Sequence, residues 1–593
     1  MKKGFHIFIL SLGFFTANAQ SKPNKKVTPK KIDTVKTEVI EVVTKYNPKI
    51  ADANKIRKNP TVKLLEKSEK KKLNYNIFSA PVASTFIPKT GAVKGVDVGV
   101  KERIYNNYVA AGYGNYTSPY LEAYINNSTR FESEFGLYTK YFASFDNIEN
   151  SLLNSNFSNL LASLYFKKEE RYFDWKVSLN TKRKEYNWYG LPNYNFNQNT
   201  LNSINENQTY NYFNIIGEID FVDSYIDKSI ISVSYFSDAF KSSESLVNFD
   251  TDLDLPIRFI SNALNNITVR TGLEFLNGQF ATNYTNQNSL DYSIFTALLN
   301  PEYKTTFNGF SLKLGAKIFG SFDLENKVSN LLAYPDIQVQ KPIIKEHLNI
   351  YAGINGNLKT NTYKDFTENN PYVSPTLFMT QTSEKNNVFI GFSGVLSNDI
   401  SFNISASSKE EEDKPLFVRN NSKSNGVNNT SNSQPLKGYE YGNSFNIVYD
   451  DIKTTSFFAE IEYEFSKRIT LASNVQFNNY STTNQIEAWN SPTLQTSFIG
   501  KYKSNKWYAT TNIFYLNDRK DVLYKTTFPS TSNSIQKLDS FIDVNLNGGY
   551  HFNDSFSVFI KLNNILNNSY ERFANFNTQG FQALGGITYK FDF

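Results

Sequence analysis

Residues 580–593, GFQALGGITYKFDF, constrain the fold more tightly than any other stretch of the chain. Phe581, Ala583, Ile587, Tyr589, Phe591 and Phe593 share one parity, with Gly585 in the same row. The other parity carries Gln582, Thr588, Lys590 and Asp592, and Leu584 is its one large apolar member. A period of two belongs to a strand, not a helix. An apolar row rich in aromatics suits a strand with lipid on one side and a wet lumen on the other. In water the same row would be an aggregation-prone sheet edge, which argues against a soluble sandwich.

The pattern recurs upstream. Ile542, Val544, Leu546, Tyr550 and Phe552 alternate with Asp543, Asn545, Asn547 and His551. Glu460, Glu462 and Glu464 face away from Ala459, Ile461, Tyr463 and Phe465. From about Asn107 onward such segments are joined by short turns, as at 223–227, 398–399, 466–467 and 553–554. Longer polar loops fall between them, at 185–208, 365–386, 409–451 and 566–580 among others. Bacterial barrels have short periplasmic turns, longer outer loops and an even strand number. The expected fold class is therefore all-β: a transmembrane antiparallel β-barrel of about 22 strands, preceded by a basic, largely irregular N-terminal periplasmic extension. Unpaired backbone groups in hydrocarbon cost several kcal/mol each, so the sheet must close, with residues 580–593 pairing to the first strand near Tyr108.

Composition agrees. The 593 residues include 50 Phe and 38 Tyr, yet mean hydropathy is negative. A barrel reconciles the two, because lipid-facing residues alternate with Asn, Ser, Thr and charged groups facing water. The absence of Cys excludes disulfides and thiolate metal sites.

The N-terminus, MKKGFHIFILSLGFFTANAQ, reads as a signal peptide: a basic Lys2-Lys3 start, a short apolar stretch and a small-residue Ala17-Asn18-Ala19 site. Expected boundaries are 1–19 for the signal peptide, 20–94 for the extension and 95–593 for the barrel. The expected location is the cell outer membrane, with outer-membrane lipid and the barrel-assembly machinery as partners. Tyr589, Phe591 and Phe593 are the candidate C-terminal assembly signal. Residues 21–75 carry sixteen Lys or Arg against six Asp or Glu, while 76–593 sum to −6. A cationic tail thus precedes a mildly acidic body. Without interleaved aromatics it does not point to nucleic acid. Within it, Glu38, Val39, Ile40, Glu41, Val42 and Val43 form a β-prone island suited to strand addition on a partner's sheet edge.

The run Phe556-Ser557-Val558-Phe559-Ile560-Lys561-Leu562-Asn563-Asn564-Ile565-Leu566-Asn567-Asn568-Ser569-Tyr570 resembles the C-terminal end of TonB-dependent receptors. So does Gly585-Gly586-Ile587-Thr588-Tyr589-Lys590-Phe591, and Glu464 to Leu471 looks like members of Bacteroidota type. The resemblance implies an uptake barrel and makes Glu38 to Val43 similar to the segment that contacts a TonB-type energiser. Family members usually carry a plug of well over a hundred residues, and none is recognisable here. The sequence therefore leaves the lumen to be filled by 76–91, by the outer loops or by a partner. A non-transporting scaffold in an outer-membrane or periplasmic complex is the competing reading.

No enzyme is expected. The three His are His6, His347 and His551, and no HExxH, P-loop or GxSxG motif is present. No cofactor or metal is expected either. Glu410, Glu411, Glu412 and Asp413 read as a solvated cluster in the longest outer loop.

Overall fold

The computed structural model describes residues 105–593 apart from 129–132, 258–265, 287, 346, 430–434 and 530–531. The signal peptide, the basic extension with Glu38 to Val43, and the segment 76–91 lie outside the described residues.

Among the described residues, 22 strands form one antiparallel sheet. It begins with β1 (Asn107–Gly114), β2 (Ser118–Ser128), β3 (Ser133–Ser144), β4 (Phe157–Glu169), β5 (Phe173–Asn187), β6 (Asn207–Phe221) and β7 (Ile226–Asp238). Next come β8 (Ser243–Leu255), β9 (Ile267–Phe280), β10 (Leu290–Phe307), β11 (Phe310–Asp323), β12 (Val328–Ile344), β13 (Leu348–Thr360) and β14 (Gln381–Ser397). Then follow β15 (Ile400–Arg419), β16 (Phe445–Ser466), β17 (Ile469–Thr482), β18 (Leu494–Lys503) and β19 (Trp507–Leu516). The small hairpin β20 (Arg519–Tyr524) and β21 (Asn533–Leu538) interrupts before β22 (Phe541–His551) and β23 (Phe556–Asn563). A second small hairpin, β24 (Glu571–Phe573) and β25 (Phe576–Asn577), precedes the last strand, β26 (Gln582–Phe591). Two short helices, α1 (Gln198–Ser203) and α2 (Tyr363–Asn369), lie in outer loops.

The cylinder closes where the sequence required it. β1 pairs with β26 from Asn107↔Phe591 to Gly114↔Leu584. On the last strand Ile587 and Tyr589, and Phe593 just beyond its end, are exposed on the outer surface, whereas Leu584 is buried inside against Ala110, Tyr120 and Phe559. Other strands repeat this division. On β6, Phe213, Ile215 and Ile219 face outward while Tyr210 and Asn214 are buried. An exposed apolar row on strand after strand is a cost in water and the requirement in lipid. The molecule is an outer-membrane β-barrel.

The register corrects two readings. β15 and β16 run to Arg419 and from Phe445, so Glu410, Glu411, Glu412 and Asp413 lie in a strand rather than a loop. Glu410 meets Lys453 across the ladder at 3.0 Å, Lys409 and Lys414 flank Glu411, and Lys385 pairs with Glu412. At about 3.3 Å per residue, the 22 residues of β16 run about 70 Å, far beyond the bilayer, so their outer ends need no lipid-facing row. That removed the periodic signal. The alternation of short turns with long loops is also incomplete: the outer connections 115–117, 239–242 and 324–327 are short.

Candidate functional site in the lumen

The largest buried apolar cluster of the described chain lies inside the mouth of the cylinder, where outer loops fold inward. It joins strand residues Tyr210, Phe236, Phe280 and Tyr292 to loop residues Tyr363, Phe366 and Phe576. The 361–380 loop connects β13 to β14, yet its α2 reaches β5, eight strands away in a 22-stranded ring. A contact spanning that much of the circumference has to cross the interior.

Local chemistry fixes α2 in place. The Thr362 side chain caps the helix, accepting from the Asp365 N–H at 3.0 Å, and Asp365 supplies an acidic first turn. Glu244 on β8 accepts the N–H groups of Tyr363 at 2.6 Å and Lys364 at 3.1 Å. Tyr363 is fully buried, with its ring edge-on to Phe236 and Phe280 at 5.2 and 4.9 Å. Its hydroxyl donates to Asp238 at 2.9 Å. Tyr210 donates to the Pro371 carbonyl at 2.8 Å, and Lys182 on β5 meets Glu368 at 2.7 Å.

Burial alone would raise the Glu368 carboxyl, but Lys182 and Lys364 outweigh it and hold the group at about 2. A depressed carboxylate contributes stability above its unfolded value, and that contribution is lost as pH falls through the folded one. The docked helix is therefore expected to loosen between about pH 4.5 and 2. Planar-bilayer recordings should show more frequent opening at pH 3 than at pH 7. Glu368→Gln should open at neutral pH and flatten the dependence, and an unchanged profile in that variant would remove the ion pair from the account.

Beside this bundle lies a chamber of ≈ 510 Å³. The stacked rings of Tyr372 and Phe576, 3.7 Å apart, form part of its wall and belong also to the inward bundle. Its floor is a ladder of carboxamides on four adjacent strands. Asn512 of β19 is opposite Asn545 of β22, and Asn563 of β23 is opposite Gln582 of β26. Asn563 donates to Gln582 at 3.2 Å, and Gln582 donates to Gln579 at 2.8 Å. Asp543 and Arg572 are the charged side chains in the lining. Asp543 Oδ2 accepts from Asn545 at 3.1 Å and from Tyr570 at 3.3 Å. The Oδ1 atoms of Asp543 and Asn512 are buried without a hydrogen-bond partner.

Of the residues singled out by sequence, Tyr589 and Phe591 stack at 5.8 Å on the outer surface, and Phe593 lies edge-on to Phe591 at 5.4 Å. His551 packs against Tyr508 at 5.4 Å near the turn after β22. Neither group touches the chamber. The polar parity of Asp543, Asn545 and Asn547 was visible in the sequence, but its meeting with Asn512 and with the loop residues 570–579 depends on strand order that no local pattern carries.

The sequence matches no protein-family model and no curated protein sequence. Solved structures do match. The pyoverdine outer-membrane receptor FpvA from Pseudomonas aeruginosa aligns with a TM-score of 0.59 at 11% identity, over 82% of this chain and 78% of that one. The fold is that of an outer-membrane receptor. The siderophore receptor PirA from Acinetobacter baumannii gives 0.58 at 11% identity, covering 82% and 80%. A variant of the ferric enterobactin receptor PfeA from Pseudomonas aeruginosa gives 0.57 at 9%, covering 83% and 81%. Each of these is a receptor and none is an enzyme.

Proposed function

We propose that this barrel is a TonB-dependent-receptor-like protein that takes up a solute across the outer membrane. The observation that carries the reading is a ligand-sized chamber inside a barrel whose outer mouth is packed with its own loops. A scaffold needs surfaces for partners, not an internal chamber with a polar floor. The volume falls within the roughly 300–1,000 Å³ of small-molecule sites. The likeness to siderophore receptors supports the architecture and leaves the solute open.

In this reading the basic extension, without a recognisable plug, presents Glu38 to Val43 to an inner-membrane energiser by strand addition. The test is to delete residues 37–44 in the producing bacterium and follow the depletion of solutes from the medium. Loss of uptake of one solute, with membrane complexes intact, is the expected result. If no solute depends on the protein while native purification brings down stoichiometric partners, the scaffold reading replaces this one.

A further inference from the structure

We infer that Lys182, Lys184 and Arg572 form a site for a small tetrahedral dianion, phosphate or sulfate, which ties the β24–β25 hairpin and the 361–380 loop to the wall at β5. The site stands apart from the uptake reading, since it needs no solute to cross.

Alternation puts Lys182, Lys184 and Tyr186 on one parity of β5. Lys182 meets Glu368 at 2.7 Å and Tyr186 lines the chamber, so that parity is the inward one and Lys184 stands between the two. Arg572, on the β24–β25 hairpin, is exposed and lines the chamber as well. Its charge bears on Lys184, Tyr186 and Tyr372, which sets it beside β5 across the space under α2. Lys364 adds a fourth cation from α2 itself, meeting Asp365 at 3.1 Å and Glu368 at 3.4 Å.

The charges here do not balance. Four cations meet two carboxylates, and neither Lys184 nor Arg572 forms an ion pair among the described residues. The other carboxylate of the chamber lining, Asp543, already accepts from Asn545 and Tyr570. The ammonium groups of Lys182 and Lys184 also come within hydrogen-bonding reach of each other. An ammonium has three donors and no acceptor, so neither can satisfy the other. Like charges held that close inside a protein repel unless an anion lies between them.

The shape of the missing anion follows from the donors. A tetrahedral dianion offers one oxygen edge to the two ammonium groups and another to the planar fork of Arg572, which pairs with two oxygens at once. Chloride brings one charge and no such edge. Because Lys182 also holds Glu368, an anion shared by the two lysines and Arg572 links α2, β5 and the hairpin in one chain of contacts.

The experiment uses the full-length protein in detergent at neutral pH, with ionic strength held constant by sodium chloride. Inorganic phosphate and inorganic sulfate are titrated separately by calorimetry. Saturable binding of at least one is expected. Lys184→Gln and Arg572→Gln should each weaken it by about tenfold, whereas Lys501→Gln, on β18, should leave it unchanged. Both weakened variants should keep the heat-modifiable gel mobility of a folded barrel, since neither loses an ion pair of the fold. In planar bilayers the bound anion should lower the opening frequency several-fold in the unmodified protein and not in Lys184→Gln. Binding of neither anion overturns the site. Equal affinity in Lys184→Gln and Arg572→Gln, or an equal loss in Lys501→Gln, overturns its location. Binding that leaves the opening frequency unchanged overturns the tie between loop, hairpin and wall.

Discussion

Replacing residues 361–380 with a short glycine–serine linker is expected to turn a quiet barrel into a steadily conducting one. The segment removes α2 and, with it, Tyr363, Phe366, Val373, Leu377 and Met379 from the buried cluster at the mouth. It also removes the tether from Lys182 on one wall to Glu368 and the contact of Glu244 with the start of the helix. Barrels of more than about sixteen strands enclose a water-filled interior unless something occupies it. With the rest of the chain left in place, liposome swelling by small sugars should rise by roughly an order of magnitude. The strand framework should survive, since the loop pairs with no strand of the cylinder apart from the isolated bridge Val373↔Phe445. Swelling at the unmodified rate would show that the barrier lies elsewhere in the lumen. A milder change, Tyr363→Ala, should cost about 3–5 kcal/mol of local stability, as is usual for a buried aromatic. Hydrogen exchange should report it in α2 before it appears in the strands.

The second large effect is expected at the closing seam, from two neighbouring glycines with opposite tolerance. A Cβ on Gly586 would sit 2.3 Å from the Phe559 ring and 2.5 Å from the Ala111 carbonyl oxygen. That oxygen belongs to the β1–β26 ladder, where Ala111 pairs with Ile587 and Gly112 with Gly586. It cannot retreat without opening the seam, and an open edge in hydrocarbon costs several kcal/mol per unpaired group. A Cβ on Gly585 meets nothing within 4 Å. Gly586→Val should therefore abolish the fast-migrating folded band on unheated SDS gels, while Gly585→Val keeps it. Equal behaviour of the two would mean that the seam is held by something other than close backbone approach.

Much of the barrel was legible because lipid imposes a period that survives in one dimension. The apolar row of Ile587, Tyr589, Phe591 and Phe593, the opposite placement of Leu584 and the pairing with Tyr108 all follow from alternation plus the need to close. The strand count followed from turns and parity. Legibility failed where the solvent changed. Glu410 to Asp413 sit on a stretch of β15 that needs no lipid face, and charged cross-strand pairs there look, in one dimension, like a polar loop. The chamber was hidden for a different reason. Asn512 and Asn545 are 33 positions apart and Tyr372 is far from both, so only strand order and an inward-folded loop bring them together. Sequence could show that Asp543, Asn545 and Asn547 face inward, but not what they face.

The cylinder has walls of unequal height. β1 has eight residues and β23 has eight, whereas β15 and β16 have 20 and 22. Eight residues at about 3.3 Å each, tilted by roughly 40°, rise only about 20 Å, less than the apolar band of about 25 Å that such barrels present. The leaflets must pinch inward beside the seam or the whole body must lean toward it. Nascent insertion and any sideways release would meet the least lipid resistance on that low flank.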